Sequence, residues 1–255
     1  PATLLAMSGI TPTVALGTAS RITALAYAGG TLLAAGPDDF LIWRQDPAGW
    51  DPVEAPQGVP RLAAALTPDG AGVYVSEGAA VLTAPIRKHL RRLTPFFEAP
   101  TPVRQLAWSP GGETLLVLCD AELAGVDWTG RTRWTAEPAA WVAWAPDGLR
   151  FLAGAATGAA SGAAHWCDGA SGGTLAPATN LSHPLPRAIA FSPGGRSLAQ
   201  TTGAELVVSR PDGTAARTWR GAFATIDQLA WLDECTLAVA GTGGPAVQLV
   251  DTLDA

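Results

Sequence analysis

Residues 104–112 read RQLAWSPGG, and the pattern returns at 141–148 as WVAWAPDG and at 187–195 as RAIAFSPGG. Looser copies are LAAALTPDG at 62–70, ITALAYAGG at 22–30 and DQLAWLDE at 227–234. In each, small and apolar residues lead to one bulky anchor just before a turn: Tyr27, Leu66, Trp108, Trp144, Phe191 and Trp231. The anchors lie 39, 42, 36, 47 and 40 residues apart. A period near 40 residues marks an array of like supersecondary units, each too small to bury its own apolar face.

Every copy continues in the same order. Six or so residues after the anchor comes a second apolar run, with Leu33, Val73, Leu115, Phe151, Leu198 and Leu237 in equivalent places. These runs are of strand length and too short for helices. A polar or glycine turn follows, at Gly36–Asp39, Glu77–Gly78, Asp120–Glu122, Thr157–Gly162, Gly203–Glu205 and Thr242–Pro245. A third run then ends at Trp43-Arg44, Thr83-Ala84, Asp127-Trp128, Cys167-Asp168, Ser209-Arg210 and Val250-Asp251. A fourth, weaker segment holds Trp50, Trp134 or Trp219.

Four short strands per unit, joined by Gly, Pro and Asp turns, describe a β-propeller blade. Ala26, Ala107, Ala143, Ala190 and Ala230 precede the anchor on the innermost strand, where blades crowd around the axis. Twenty-nine glycines and 21 prolines are what so many tight turns need. The sixth copy runs out at residues 251–255 with no fourth strand left, and counting back from Tyr27 lands on Thr13-Val14-Ala15-Leu16. The expected fold is therefore all-β: one six-bladed propeller of four-stranded antiparallel blades over residues 1–255. Its N-terminal strand is expected to complete the last blade and remove the open sheet edge.

These residues resemble the WD40 family. The apolar first strand with its S-P-[DG]-G turn, the Asp39-Phe40-Leu41-Ile42-Trp43 run and the Trp166-Cys167-Asp168 ending are similar to its blade pattern, over nearly the whole chain. The family's Gly-His dipeptide is missing and no third run ends in a strict Trp-Asp pair, and the turns also resemble TolB-like propeller repeats. The resemblance implies a rigid disc that presents loops to other proteins, without catalysis. On that basis the partner would meet the face built from second-to-third strand turns and inter-blade connections. The residues to test there are Asp38, Asp39, Glu77, Asp120, Glu122 and Glu205. The alternative is a small-ligand site or hydrolase in the axial channel, which would need carboxylates or histidines converging on one mouth.

Composition narrows the partners. Sixteen basic residues face 22 acidic ones, net −6, and mean hydropathy is +0.20. A disordered chain is excluded by the 48% hydrophobic content, and a broad nucleic-acid or anionic-membrane surface by the acidic balance. Residues 1–20 carry no charge, yet they lack a basic leader, and Ser8, Gly9, Thr11, Pro12 and Thr13 interrupt the apolar run. A cytoplasmic domain, monomeric within a complex and without membrane insertion, is expected. Cys119, Cys167 and Cys235 are odd in number and far apart, so neither a disulfide framework nor a zinc site is indicated.

No HExxH or Walker-type loop occurs, and no catalytic residue, cofactor or metal is expected. His89, His165 and His183 fall in different parts of different repeats. Asp38-Asp39 and Asp233-Glu234 are paired carboxylates, but in turns, where capping is the plainer role. Two features stand out. PIRKHLRR at 85–92 places Arg87, Lys88, Arg91 and Arg92 together in an acidic chain, suited to an acidic partner segment or a phosphate, or else to a solvated outer strand. The fourth copy is the longest, with extra loops at Thr157–Ala164 and Ala176–Pro186 that include Asn180 and His183. Trp50, Trp134, Trp141 and Trp219 stand outside the anchor set and would form a hot spot if several shared one exposed face.

Overall fold

The computed structural model describes residues 3–5, 13–15, 22–37, 40–46, 49–53, 63–87, 90, 92–155, 164–178, 181, 186–214, 216–220, 223–244 and 247–252. Strands β1 (Thr3–Leu5) and β2 (Thr13–Ala15) precede the blades. The first blade is β3 (Ala24–Ala28), β4 (Thr31–Ala35), β5 (Phe40–Asp46) and β6 (Gly49–Val53); the second is β7 (Ala64–Leu66), β8 (Gly72–Glu77), β9 (Ala80–Pro85) and β10 (Thr94–Glu98). The third holds β11 (Val103–Trp108), β12 (Leu115–Cys119), β13 (Leu123–Val126) and β14 (Thr132–Ala136). The fourth holds β15 (Ala139–Trp144), β16 (Arg150–Ala155), β17 (His165–Asp168) and β18 (Thr174–Pro177). The fifth holds β19 (Ile189–Phe191), β20 (Leu198–Thr202), β21 (Glu205–Ser209) and β22 (Arg217–Arg220), and the sixth β23 (Thr225–Trp231), β24 (Thr236–Thr242) and β25 (Gln248–Asp251). Each blade is an antiparallel meander in chain order. The innermost strands β3, β7, β11, β15, β19 and β23 lie side by side in sequence order, and β23 returns to β3, which closes a six-bladed β-propeller. Among the described residues no helix is long and apolar enough to cross a membrane.

Anchors and second-strand residues meet as their spacing predicts. Leu66 pairs with Val73, Trp108 with Leu115, Trp144 with Phe151, Phe191 with Leu198 and Trp231 with Leu237. The first blade is one residue out of step, since Tyr27 pairs with Leu32 rather than Leu33. The repeated Pro-containing motif forms a tight turn closed by a hydrogen bond from its last glycine: Gly70 to Thr67, Gly112 to Ser109, Gly148 to Ala145 and Gly195 to Ser192. Each of these glycines has φ near +70°, a conformation that side chains with a Cβ resist.

Second strands are buried on both faces because every blade has a neighbour on each side. Along β12, Leu115, Val117 and Cys119 pack toward the second blade while Leu116 and Leu118 pack toward the fourth. This period-2 sharing recurs, and the core consists of six apolar clusters, one in each seam between adjacent blades. Burying one such leucine contributes about 1.5–3 kcal/mol. Trp134 lies flat across its cross-strand partner Gly125, where an added Cβ would come within 2.2 Å of the indole.

The last blade differs from the expectation. Thr13–Ala15 is a strand and runs beside β25, but its ladder is with β1, through Thr3↔Ala15, Leu4↔Val14 and Leu5↔Thr13. The β25 sheet has three strands, and no pairing between β2 and β25 is present among the described residues. The seam is sealed instead by side chains. Ile22, Leu25, Leu32, Ala34 and Trp43 of the first blade interlock with Ala230, Ala238, Ala240, Val247 and Leu249 of the sixth.

Candidate functional site

Propeller topology sorts the loops onto two faces. One carries the inter-blade connections and the second-to-third strand turns; the other carries the first-to-second and third-to-fourth turns. We call these the connector face and the turn face.

The connector face holds the acidic residues expected to meet a partner, spread over several blades. Glu77 ends β8, Asp120 and Glu122 flank the β12–β13 turn, and Glu205 begins β21. Asp38 and Asp39 lie outside the described residues. Two of the four that are described are engaged by arginines of their own blades: Arg104 Nε donates to Asp120 at 2.8 Å, and Arg220 Nε donates to Glu205 at 2.8 Å.

Within the ring on this face is an axial cavity of about 200 Å³, to which all six innermost strands contribute. Its polar lining bridges blades. Gln105 donates to the Val142 carbonyl at 2.8 Å and accepts from the Val142 N–H at 2.9 Å. Arg104 Nη2 also donates to the Ala139 carbonyl at 2.7 Å. Arg187 of the fifth blade pairs at 2.9 Å with Asp227 of the sixth, a carboxylate only 8% exposed, and Thr225 also donates to it. Much of the remaining lining is Ala24, Ala63, Ala64, Ala140 and Ala188. Among the described lining residues Asp227 is the one carboxylate, and none is a histidine.

The other sequence candidates have structural partners or stand apart. Asp233 accepts from the N–H groups of Cys235 and Thr236, both at 2.7 Å, and Glu234 accepts from Ser192 and the Gly194 N–H across the blade seam. His165 is half-buried on β17, while His89 and His183 lie outside the described residues. Residues 157–163 of the first extra loop and Asn180 of the second also lie outside them. Ala176 and Pro177 belong to β18 rather than to the loop, and Ala178 and Leu181 fold back onto the core. Trp134 and Trp141 are buried, and Trp50 and Trp219 pack half-buried against core clusters, so these four make no exposed aromatic face.

The basic run is a connection between β9 and β10, not an outer strand; that strand starts at Thr94. Ile86 and Leu90 are buried in the seam between the first and second blades, and Arg44 of the first blade donates to the Ile86 carbonyl. These contacts fasten the loop and leave Arg87 and Arg92 exposed. Lys88 and Arg91 lie outside the described residues.

The turn face carries a site the sequence reading missed. A cleft of about 580 Å³ runs between the second and third blades, lined by the β7–β8 turn, Tyr74, the ends of β9 and β10, Trp108 and the turns on either side of β12 and β13. Tyr74 meets Phe96 and Trp108 edge to face, with ring centroids 4.8 and 5.1 Å apart. Trp128 stands over this floor, 73% exposed. It does so because β13 ends at Val126, two residues earlier than its apolar pattern suggests. Asp127 then closes a turn, accepting from the Thr129 hydroxyl at 2.6 Å and from the N–H groups of Thr129 and Arg131. Gly130 of this turn presses on Phe96 of the second blade, where a Cβ would lie 2.4 Å from the carbonyl oxygen. The turn chemistry Asp-Trp-Thr-Gly was visible in the sequence; that it would expel the tryptophan was not.

Hydrogen bonding within the cleft is uneven. Thr83 donates to Val73, Thr94 to Thr83, and Thr67 to Asp69. The Thr67 hydroxyl, with the Ala71 N–H, holds the Asp69 carboxyl below the ordinary range, and Thr129 and Arg131 do the same for Asp127. Trp108 is the exception. Anchors Trp144 and Trp231 donate to the Ala107 and Ala190 carbonyls of the preceding blades, each at 3.0 Å, whereas the Trp108 indole N–H has no acceptor among the described residues. Compared with models of protein families and with curated proteins, the sequence matches none.

Proposed function

We propose that this propeller is a non-catalytic, WD40-like protein-binding domain that acts within a complex, and that its partner seats in the turn-face cleft between the second and third blades. The observation that carries the reading is Trp128. A side chain of this size, nearly three-quarters exposed beside an aromatic floor in a well-packed ring, is the kind of anchor that dominates binding energies at protein interfaces. The cleft volume falls within the range of about 300–1,000 Å³ typical of binding sites. The repeat's resemblance to WD40-like units and the engagement of the axial polar groups in bridging blades agree with a scaffold.

A photo-crosslinking residue placed at position 128, and in a second variant at position 77 on the connector face, tests this in cells of the native host. The expected result is a discrete protein adduct from position 128 and none from position 77. Adducts from position 77 alone would move the interface to the connector face. A stoichiometric small molecule displaced from the axial cavity when Gln228 is replaced by leucine would favour the ligand-binding alternative.

A further inference from the structure

We infer that the turn-face cleft takes an extended, acidic peptide segment, laid radially with a bulky apolar residue against Trp128 and its carboxylates toward the rim; this rests on the protein-binding reading above. The direction follows from which turns build the cleft. Its inner end is the Thr67–Asp69 turn and Gly111–Gly112, close to the axis, and its outer end is Ala84-Pro85, Thr94 and Trp128.

The chain that leaves the wall at Pro85 and returns at Thr94 is the basic loop. Arg87 is two residues beyond one wall residue and Arg92 two residues before the other, so connectivity alone keeps both beside the outer mouth. Neither makes an ion pair with another described residue, and both are exposed. On the opposite lip Arg131 and Arg133 follow Trp128 and are also exposed. Two carboxylates stand nearby, Asp69 on the inner wall and Asp127 next to Trp128. Asp69 and Asp127 each direct an oxygen into their own turn, where hydroxyl and N–H donors engage it. An outer mouth with the guanidinium groups of Arg87 and Arg92, unpaired among the described residues, in a chain of net charge −6 is complementary to an acidic segment and steers its approach. The inner part offers aromatic and proline surface with few uncommitted donors, which suits an apolar side chain better than a sugar or a second charge.

The test uses three fluorescein-labelled decapeptides: one phenylalanine followed by four glutamates, the same peptide with four lysines, and the glutamate peptide with alanine for phenylalanine. Fluorescence anisotropy at low salt is expected to show saturable binding of the first alone. Trp128→Ala and the double variant Arg87→Glu/Arg92→Glu should each weaken it at least about tenfold, while Arg217→Glu on the outer strand of the fifth blade leaves it unchanged. Equal binding of the lysine peptide, or full retention of affinity in the arginine double variant, overturns the inference. If position 128 crosslinks a protein in cells but the glutamate peptide does not bind, the site stands and the proposed peptide chemistry fails. If neither occurs, both fail.

Discussion

On the connector face, neighbouring blades are joined by side chains: Gln105 reaches Val142, Arg104 reaches Ala139, and Arg187 pairs with Asp227. On the turn face backbone and small residues share the task with side chains such as Arg44, which reaches the Ile86 carbonyl, and Glu234, which reaches the Ser192–Gly194 turn. Gly29 and Gly70 nest against the Asp69 and Ala28 carbonyls between the first two blades, and Pro68 touches Gly112 between the next two. Gly195 sits on Pro146 farther round. Where polar side chains hold the ring together they are unavailable to a partner. Where turns hold it, side chains such as Trp128, Arg87 and Arg92 are left over. The same repeat therefore leaves on the turn face large side chains that no blade contact engages among the described residues.

The strongest way to break this contrast is to put a Cβ into the turn-face collar. In Gly70→Ala the new methyl would stand 2.3 Å from the Ala28 oxygen, at a φ of +68°. The left-handed conformation costs roughly 1–2 kcal/mol, and relieving the clash adds to it, for a total of about 3 kcal/mol. Urea denaturation should show the midpoint falling accordingly. A loss under about 0.5 kcal/mol would mean that the turns do not lock the blades.

Next in size is the connector-face counterpart, Asp227→Ala. It leaves Arg187 without its partner at a site where the carboxylate is 8% exposed and the guanidinium about half exposed. Removing one partner of a fully buried pair costs about 3–5 kcal/mol; with one side solvated, about 2 kcal/mol is expected. Glu205→Ala, which breaks the more exposed Arg220 pair, should cost at most about 0.5 kcal/mol. Equal losses from the two substitutions would show that the bridge across the blade seam has no special role.

The anchors allow a finer test within one residue type. Trp144→Phe and Trp231→Phe each remove an indole N–H that donates to the preceding blade at 3.0 Å, and each should cost about 1 kcal/mol beyond the change in ring size. In Trp108→Phe no such bond is lost, so the extra cost should be absent. If all three variants melt alike, the unpartnered donor at Trp108 is not a real difference between the seams.

These comparisons also show how far the sequence could be read. Strand order and blade number were legible because anchor and second-strand residues recur at fixed local offsets and then pair directly, as Trp144 does with Phe151. The closing seam was not, since what fills it is the meeting of Leu25 and Trp43 with Ala238 and Leu249, contacts that no local spacing encodes. Glu77, Asp120, Glu122 and Glu205 fell on the expected face, but the arginines engaging Asp120 and Glu205 lie 16 and 15 residues away, so their pairing was invisible. Trp128 was hidden by a difference of two residues in where β13 stops. Its counterparts in the next two blades are Gly169, pressed against Trp144 and Leu149, and Pro211. Only the third blade puts a large ring at this position.

The smallest effect concerns acid. Asp127 sits in the turn that presents Trp128, and the Thr129 hydroxyl, then the Arg131 N–H, hold its carboxyl below the ordinary value of 3.8. A depressed folded-state pKa means that the turn's contribution is fully present above the unfolded value and is lost as pH falls through the folded one. At neutral pH the loop is thus held in its exposing geometry, and its loosening is confined to the region below about pH 4. Asp127→Asn keeps an acceptor oxygen but removes the titration. Tryptophan emission followed from pH 5 to pH 2 should therefore change less in Asp127→Asn than in the wild type. The matching substitution Asp212→Asn, in a fifth-blade turn of like chemistry that itself carries no tryptophan, should leave the emission profile as it was. A wild-type profile in both variants would mean that the Asp127 hydrogen bonds do not set the position of Trp128. The exposure of Trp128 would then rest on the early end of β13 alone.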